Sequence, residues 1–256
     1  MLWKLLKYDF RAMGKQFSLI WLAALAVALI NRFALPWRED SSGMSAQADS
    51  LLALITAMTF VAVLAAMFIT GMIFVIQRFY KGLLGDEGYL MHTLPVATWQ
   101  LVISKFLCAL AVTVLNGVVA VAAVVVLMPI RWSALLDGEL WQMLLLDLRA
   151  NPDVLLYLGE LLVLILASLA LLVAMVYLSM ALGHLFRHRV LMSVVAFFAL
   201  DIGGTVVIDL ADTLGIPLLV KGEHLALWSG TLLMCLTAAA MLAVTSLLLR
   251  QRLNLE

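Results

Sequence analysis

Charge is scarce in this chain. Only 12% of its 256 residues are Asp, Glu, Lys or Arg, the two signs cancel to a net charge of zero, and 65% of the residues are hydrophobic. The net charge says nothing about partners, but the apolar and charged fractions lie far outside the composition of soluble domains. No acidic tail or low-complexity linker is present. The two cysteines, Cys108 and Cys235, both fall inside apolar segments. They read as small buried hydrophobes and not as a disulfide or metal ligands. Catalytic signatures are missing as well: there is no His-Glu-x-x-His and no Gly-x-Ser-x-Gly. Gly14-Lys15 lacks the earlier glycine and the following hydroxyl of a phosphate-cradling loop, so this chain has no such route to nucleotide hydrolysis. His184 and His188 are four apart and could share a helix face, but GHLFRHR offers them no carboxylate. A solvated, headgroup-facing or partner-facing loop suits them better than zinc.

What the chain has is long apolar runs. Six can be drawn as membrane crossings: 17–35, 51–76, 106–130, 154–182, 190–208 and 225–249. Each is long enough to span the hydrocarbon core, so the expected fold is all-α and polytopic, one transmembrane domain over residues 1–256. The fifth run is interrupted by Asp201, Gly203 and Gly204, and residues 209–224 read as a loop or a short re-entrant hairpin. Ala46-Gln47-Ala48 mimics a signal-peptidase site but follows the first apolar core too late, so that segment reads as a retained helix.

Lys and Arg counts orient the crossings. Eleven fall on one side (Lys4, Lys7, Arg11, Lys15, Arg78, Lys81, Lys105, Arg187, Arg189, Arg250, Arg252) and five on the other (Arg32, Arg38, Arg131, Arg149, Lys221). The richer side is expected to be cytoplasmic, with both termini inside. Residues 1–16 put Leu2, Leu5, Leu6 and Phe10 toward one face and the basic residues largely elsewhere. That is the pattern of a helix in the inner interface, or of a basic flank that only fixes orientation.

Polar side chains within crossings are few. Asp201 lies about 16 Å from the inner end of its run at 1.5 Å per residue, and Gly203-Gly204 could loosen the helix beside it. Asn116 and Tyr177 could line a substrate path, and Glu160 is a further polar point. Structural hydrogen bonding explains all of them as readily.

The segment from Gln77 to Phe106 is the longest inner loop, and a plain connection needs far fewer residues. Phe79, Tyr80, Leu83, Leu84, Tyr89, Leu90 and Leu94 favour burial, while Arg78, Lys81, Asp86 and Glu87 favour water or a partner. Gly82, Gly85 and Gly88 permit sharp turns or close approach. Pro95 suits the lead-in to a helix carrying Gln100 and Lys105. Together these residues describe a compact amphipathic element that docks against something at the membrane's inner face.

RFYKGLLGDEGYLMHTLPVATWQLVISKFL closely resembles the loop RFYKNLLGDEGYLTFTLPV…QLLLSK of bacterial ABC export-type permeases, and the terminal LLLRQRLNLE resembles the ending common in that group. Gly82 stands where the group often carries Asn. The resemblance implies a six-span permease subunit in the bacterial inner membrane, with no ATPase site or cofactor of its own. It would pair with a second permease, identical or related, and with two cytoplasmic ATPase subunits that hold ATP and Mg. Residues 77–105 would then form the coupling loop. Within it Arg78, Phe79, Tyr80, Lys81, Gly85, Asp86, Glu87, Gly88, Tyr89, Leu90, Leu94 and Pro95 would meet the ATPase. Residues 183–189 would make a second contact through His184, Phe186, Arg187, His188 and Arg189. Membrane lipids are the other expected partner, and the apolar spans favour amphipathic or hydrophobic cargo such as an antimicrobial peptide, a drug or a lipid-like molecule. Two other readings of the residues remain open: a secondary transporter coupled to ions through Asp201, or a non-transporting scaffold or sensor.

Overall fold

The computed structural model describes residues 2–34, 44–85, 97–127, 138–214 and 222–252. Among these the chain is almost wholly helical and holds no strand. The elements are α1 (Leu2–Ala34), α2 (Met44–Phe79), a π-helical turn (Tyr80–Leu84), α3 (Thr98–Leu127), α4 (Gly138–Ala150), α5 (Pro152–Gly183), α6 (Arg189–Thr213) and α7 (Glu223–Arg252). In a bilayer every backbone polar group needs a partner within the chain, and a continuous helix supplies all of them locally.

Five stretches are long and apolar enough to cross a membrane: Leu54–Leu84, Thr98–Leu127, Asp153–Gly183, Arg189–Thr213 and His224–Arg250. This is the make-up of a multi-pass membrane protein. The expected first crossing corresponds to a shorter apolar stretch, Phe17–Phe33, about 25 Å long at 1.5 Å per residue. It lies within α1, which is one helix of 33 residues. The expected boundary at residue 16 is therefore no break in the backbone.

Several helix ends lie beyond the apolar limits. α2 continues through Gln77 and Arg78 to Phe79, and α3 starts at Thr98, inside the expected 77–105 loop. α6 passes unbroken through Asp201, Gly203 and Gly204 and on to Thr213. Polar residues end a hydrophobic run but not a helix, because an exposed polar side chain costs a helix little. His184 and His188 fall at the C-cap of α5 and the N-cap of α6, so they share no helix face. Of the cysteines, Cys108 is buried as expected, whereas Cys235 is exposed.

The chain divides into two compact units. One comprises residues 10–73 and 112–150. Its core sets Ala28, Phe60 and Ala123 together, with Leu25, Leu64, Val126 and Leu127 around them. Small residues let helix backbones approach where lipid supplies no hydrophobic drive. Polar side chains in this unit find partners: Asn31 donates to the Thr56 carbonyl (3.1 Å) and Arg32 to that of Val126 (2.8 Å). Asn116 is buried and accepts from the indole N–H of Trp21.

The other unit comprises residues 1–9, 74–111 and 151–256. Here α5 packs against both α7 and α6. The α5 stretch Val173 to Ala181 is buried. Gly183 permits the tight passage into α6, because a Cβ there would collide with Ser193. No residue of α6 is buried.

Candidate functional site at the inner loops

The unit holding the α5–α7 pair gathers the described parts of both expected inner contacts at the C-terminal end of α5. α2 does not end on an ordinary cap. Beyond Phe79 the backbone widens into a π-helical turn closed by the Gly85 N–H donating to the Tyr80 carbonyl at 2.7 Å. Single π turns interrupt the regular ladder and are enriched at functional sites. The turn buries Gly82, Leu83 and Leu84 and leaves Lys81 exposed.

Phe79, fully buried, stacks on Tyr177 of α5 with ring centroids 3.9 Å apart and planes 25° from parallel. The Tyr177 hydroxyl donates to the Lys105 carbonyl of α3 at 3.0 Å. Stacked aromatic pairs add to the burial of two large side chains, and the hydroxyl bond ties in a third helix. Lys105 is only 4% exposed. Its stem lies against Gly82, where a Cβ would sit 3.3 Å from Lys105 Cε. A side chain at residue 82 has to displace that lysine, which is the physical reason glycine suits this chain there.

His184 connects the two loops. Its ring lies 6.4 Å from that of Tyr80 in the π turn. Its Nε2 is buried without a hydrogen-bond partner. Burial and, second, the Arg189 charge hold its pKa below the ordinary imidazole value. From His184 the chain continues through Leu185, Phe186, Arg187, His188 and Arg189, all exposed. The result is a surface of apolar and cationic side chains carried on a buried aromatic and aliphatic base.

Thus Phe79, Tyr80 and His184 of the expected contacts belong to one cluster, and Tyr177, expected on a substrate path, is part of it. Arg78 is half-buried and Gly85 closes the turn. Asp86, Glu87, Gly88, Tyr89, Leu90, Leu94 and Pro95 lie outside the described residues. Asn116 belongs to the other compact unit. Asp201 is exposed on α6, and the space beside Gly203 and Gly204 is open.

A second polar constellation was harder to foresee. Glu160 of α5 is 5% exposed, and its two carboxylate oxygens each meet a residue of α7: His224 Nδ1 at 2.8 Å and the Trp228 indole N–H at 2.8 Å. Tyr157 stacks beside the imidazole with centroids 4.3 Å apart. The sequence signal was a lone carboxylate within a crossing, which demands a partner. Among the described residues no cluster of three or more His, Cys, Asp or Glu side chains could hold a metal.

No protein family, curated protein or solved structure matches this chain.

Proposed function

We propose that this chain is the membrane subunit of an ABC-type exporter of the bacterial inner membrane, driven by ATP hydrolysis in separate cytoplasmic ATPase subunits. The observation that carries the reading is the approach of the Tyr80 and His184 rings, whose centroids lie 6.4 Å apart. It joins the two segments expected to meet the ATPase into one cluster. Phe186 supplies an exposed apolar anchor, with Lys81, Arg187 and Arg189 to steer docking. Beneath this surface, the Phe79–Tyr177 stack and the Tyr177–Lys105 bond would pass a displacement of the turn into α2, α5 and α3.

On this reading α1 supplies a sixth crossing, its first residues lie at the inner interface, both termini are cytoplasmic, and ATP and Mg belong to the partner. The exposed Asp201, at membrane depth, and the unburied length of α6 support a second permease subunit as neighbour, since a carboxylate facing lipid is costly. The cargo would pass between the two permeases, amphipathic or hydrophobic in character.

Co-expression and co-purification with the product of the neighbouring open reading frame, expected to be a P-loop ATPase, is the test. A stable complex that Phe186→Ala together with Arg187→Ala weakens is the expected result. Transport by the purified chain alone under a proton gradient would instead favour ion coupling through Asp201. Capture of a regulatory protein without transport would favour a scaffold.

A further inference from the structure

α4 is too short to cross a bilayer. Its 13 residues, GELWQMLLLDLRA, extend about 20 Å at 1.5 Å per residue. It sits between two helices that are long enough, α3 and α5. Trp141 and Leu145 follow at a spacing of four and Leu148 three further on, so they form one stripe. Trp141 is 56% exposed, Leu145 is 54% exposed and Leu148 is half-buried. Gln142, Asp147 and Arg149 interrupt the rest of the surface, and Met143 and Leu146 stand exposed among them. So much exposed apolar surface on so short a helix calls for a covering.

The chain itself says what covers it. Asn151 alone, in a non-helical conformation, separates α4 from α5. α5 opens with Pro152 at its first turn and is membrane-crossing from Asp153. Its first turns expose Val154, Leu155, Leu156 and Leu158, a surface that in a bilayer faces lipid. A helix tethered by one residue to the start of a crossing lies at the membrane boundary. There a Trp has its preferred depth, and charged side chains such as Asp147 and Arg149 reach headgroups and water.

We propose that α4 lies in the lipid–water interface, with the Trp141–Leu145–Leu148 stripe toward the acyl chains, as a membrane anchor. The occupant of the stripe is the bilayer, not a protein. The inference rests on the chain being membrane-spanning and is independent of the transport reading.

The test places an environment-sensitive fluorophore on Leu145→Cys or Asp147→Cys in full-length protein. Cys235, the exposed thiol, is replaced by Ala, and the buried Cys108 is kept. Positions two apart on a helix point about 200° apart. After reconstitution in phosphatidylcholine vesicles, the label at 145 is expected to emit to the blue of the label at 147. It should also lose more fluorescence to lipids spin-labelled near the headgroup than to lipids labelled at the chain end. Equal, water-like emission at both sites would overturn the proposal. So would a label at 145 that is shielded from water yet untouched by either lipid quencher, since that means a protein covers the stripe. Should the Leu145→Cys protein fail to fold, judged by helicity and monodispersity, Trp141→Cys probes the same stripe.

Discussion

The two ends of α5 are held by different chemistry. At its C-terminal end Tyr177 is pressed against Phe79, and its hydroxyl donates to the Lys105 backbone carbonyl. At its N-terminal end the hold is side chain to side chain, with Glu160 gripping His224 and Trp228 of α7. Backbone partners cannot swing away, so the first end is a firm block that moves as one piece. Side-chain partners can be released by a rotamer change, so the second end is a clasp.

The largest expected effect comes from breaking the block. Phe79→Ala removes a fully buried ring and the stack on Tyr177. Large core truncations of this kind cost about 3 to 5 kcal/mol. Reversible unfolding in mixed micelles should register that loss. A loss under 1 kcal/mol, on the order of a surface change, would mean that the ring is not part of a rigid block.

Opening the clasp should cost less. Glu160→Leu removes the two hydrogen bonds to His224 and Trp228, a loss of about 2 kcal/mol for the pair. The same unfolding assay measures the stability. Cysteine cross-linking between α5 and α7 near residues 157 and 224 reads the geometry, and faster exchange there with an unchanged block is the outcome that preserves the comparison. Equal loosening at both ends of α5 would erase it.

How much of this was legible in the sequence follows from what a bilayer asks of a chain. The long apolar runs foretold helices in about the right places, because no other backbone form satisfies itself in lipid. Their ends were misjudged where polar residues continued a helix, as at Gln77–Arg78 and Asp209–Thr213. Cys108 and Cys235 looked alike, since apolar character does not distinguish a neighbour helix from lipid, yet one is buried and the other exposed. Phe79, Tyr80 and His184 could be singled out as unusual residues at the ends of apolar runs. Tyr177 could be noticed, but nothing local tied it to Phe79. The partners of Glu160 lie 64 and 68 residues away in sequence, and only packing brings such residues together.

A gentler cut at the block separates its hydrogen bond from its packing. Tyr177→Phe keeps the stack on Phe79 and leaves the Lys105 carbonyl without the hydroxyl, for about 1 kcal/mol. The variant should remain folded and assemble normally. If this chain is an exporter subunit as we propose and the tyrosine carries movement to α3, ATPase activity in the complex should become less responsive to substrate while basal turnover persists. Full responsiveness would assign the hydroxyl to stability alone.

The smallest effect is a pH dependence confined to the block. Burial and Arg189 make the folded state hold a proton on His184 less readily than a free imidazole does. Above about pH 6.5, the ordinary imidazole value, the residue is neutral both folded and unfolded, and the contact stands at full strength. As the pH falls below that value the unfolded chain takes up a proton that folded His184 still resists. The stability from this contact therefore declines with acidification until the folded pKa is passed. Gln in its place does not titrate. Thermal unfolding of wild type and His184→Gln should therefore run in parallel at mildly alkaline pH and separate on acidification, with the wild type losing more. Parallel curves throughout would mean that folded His184 takes up a proton as readily as the unfolded chain does, so that neither burial nor Arg189 bears on it.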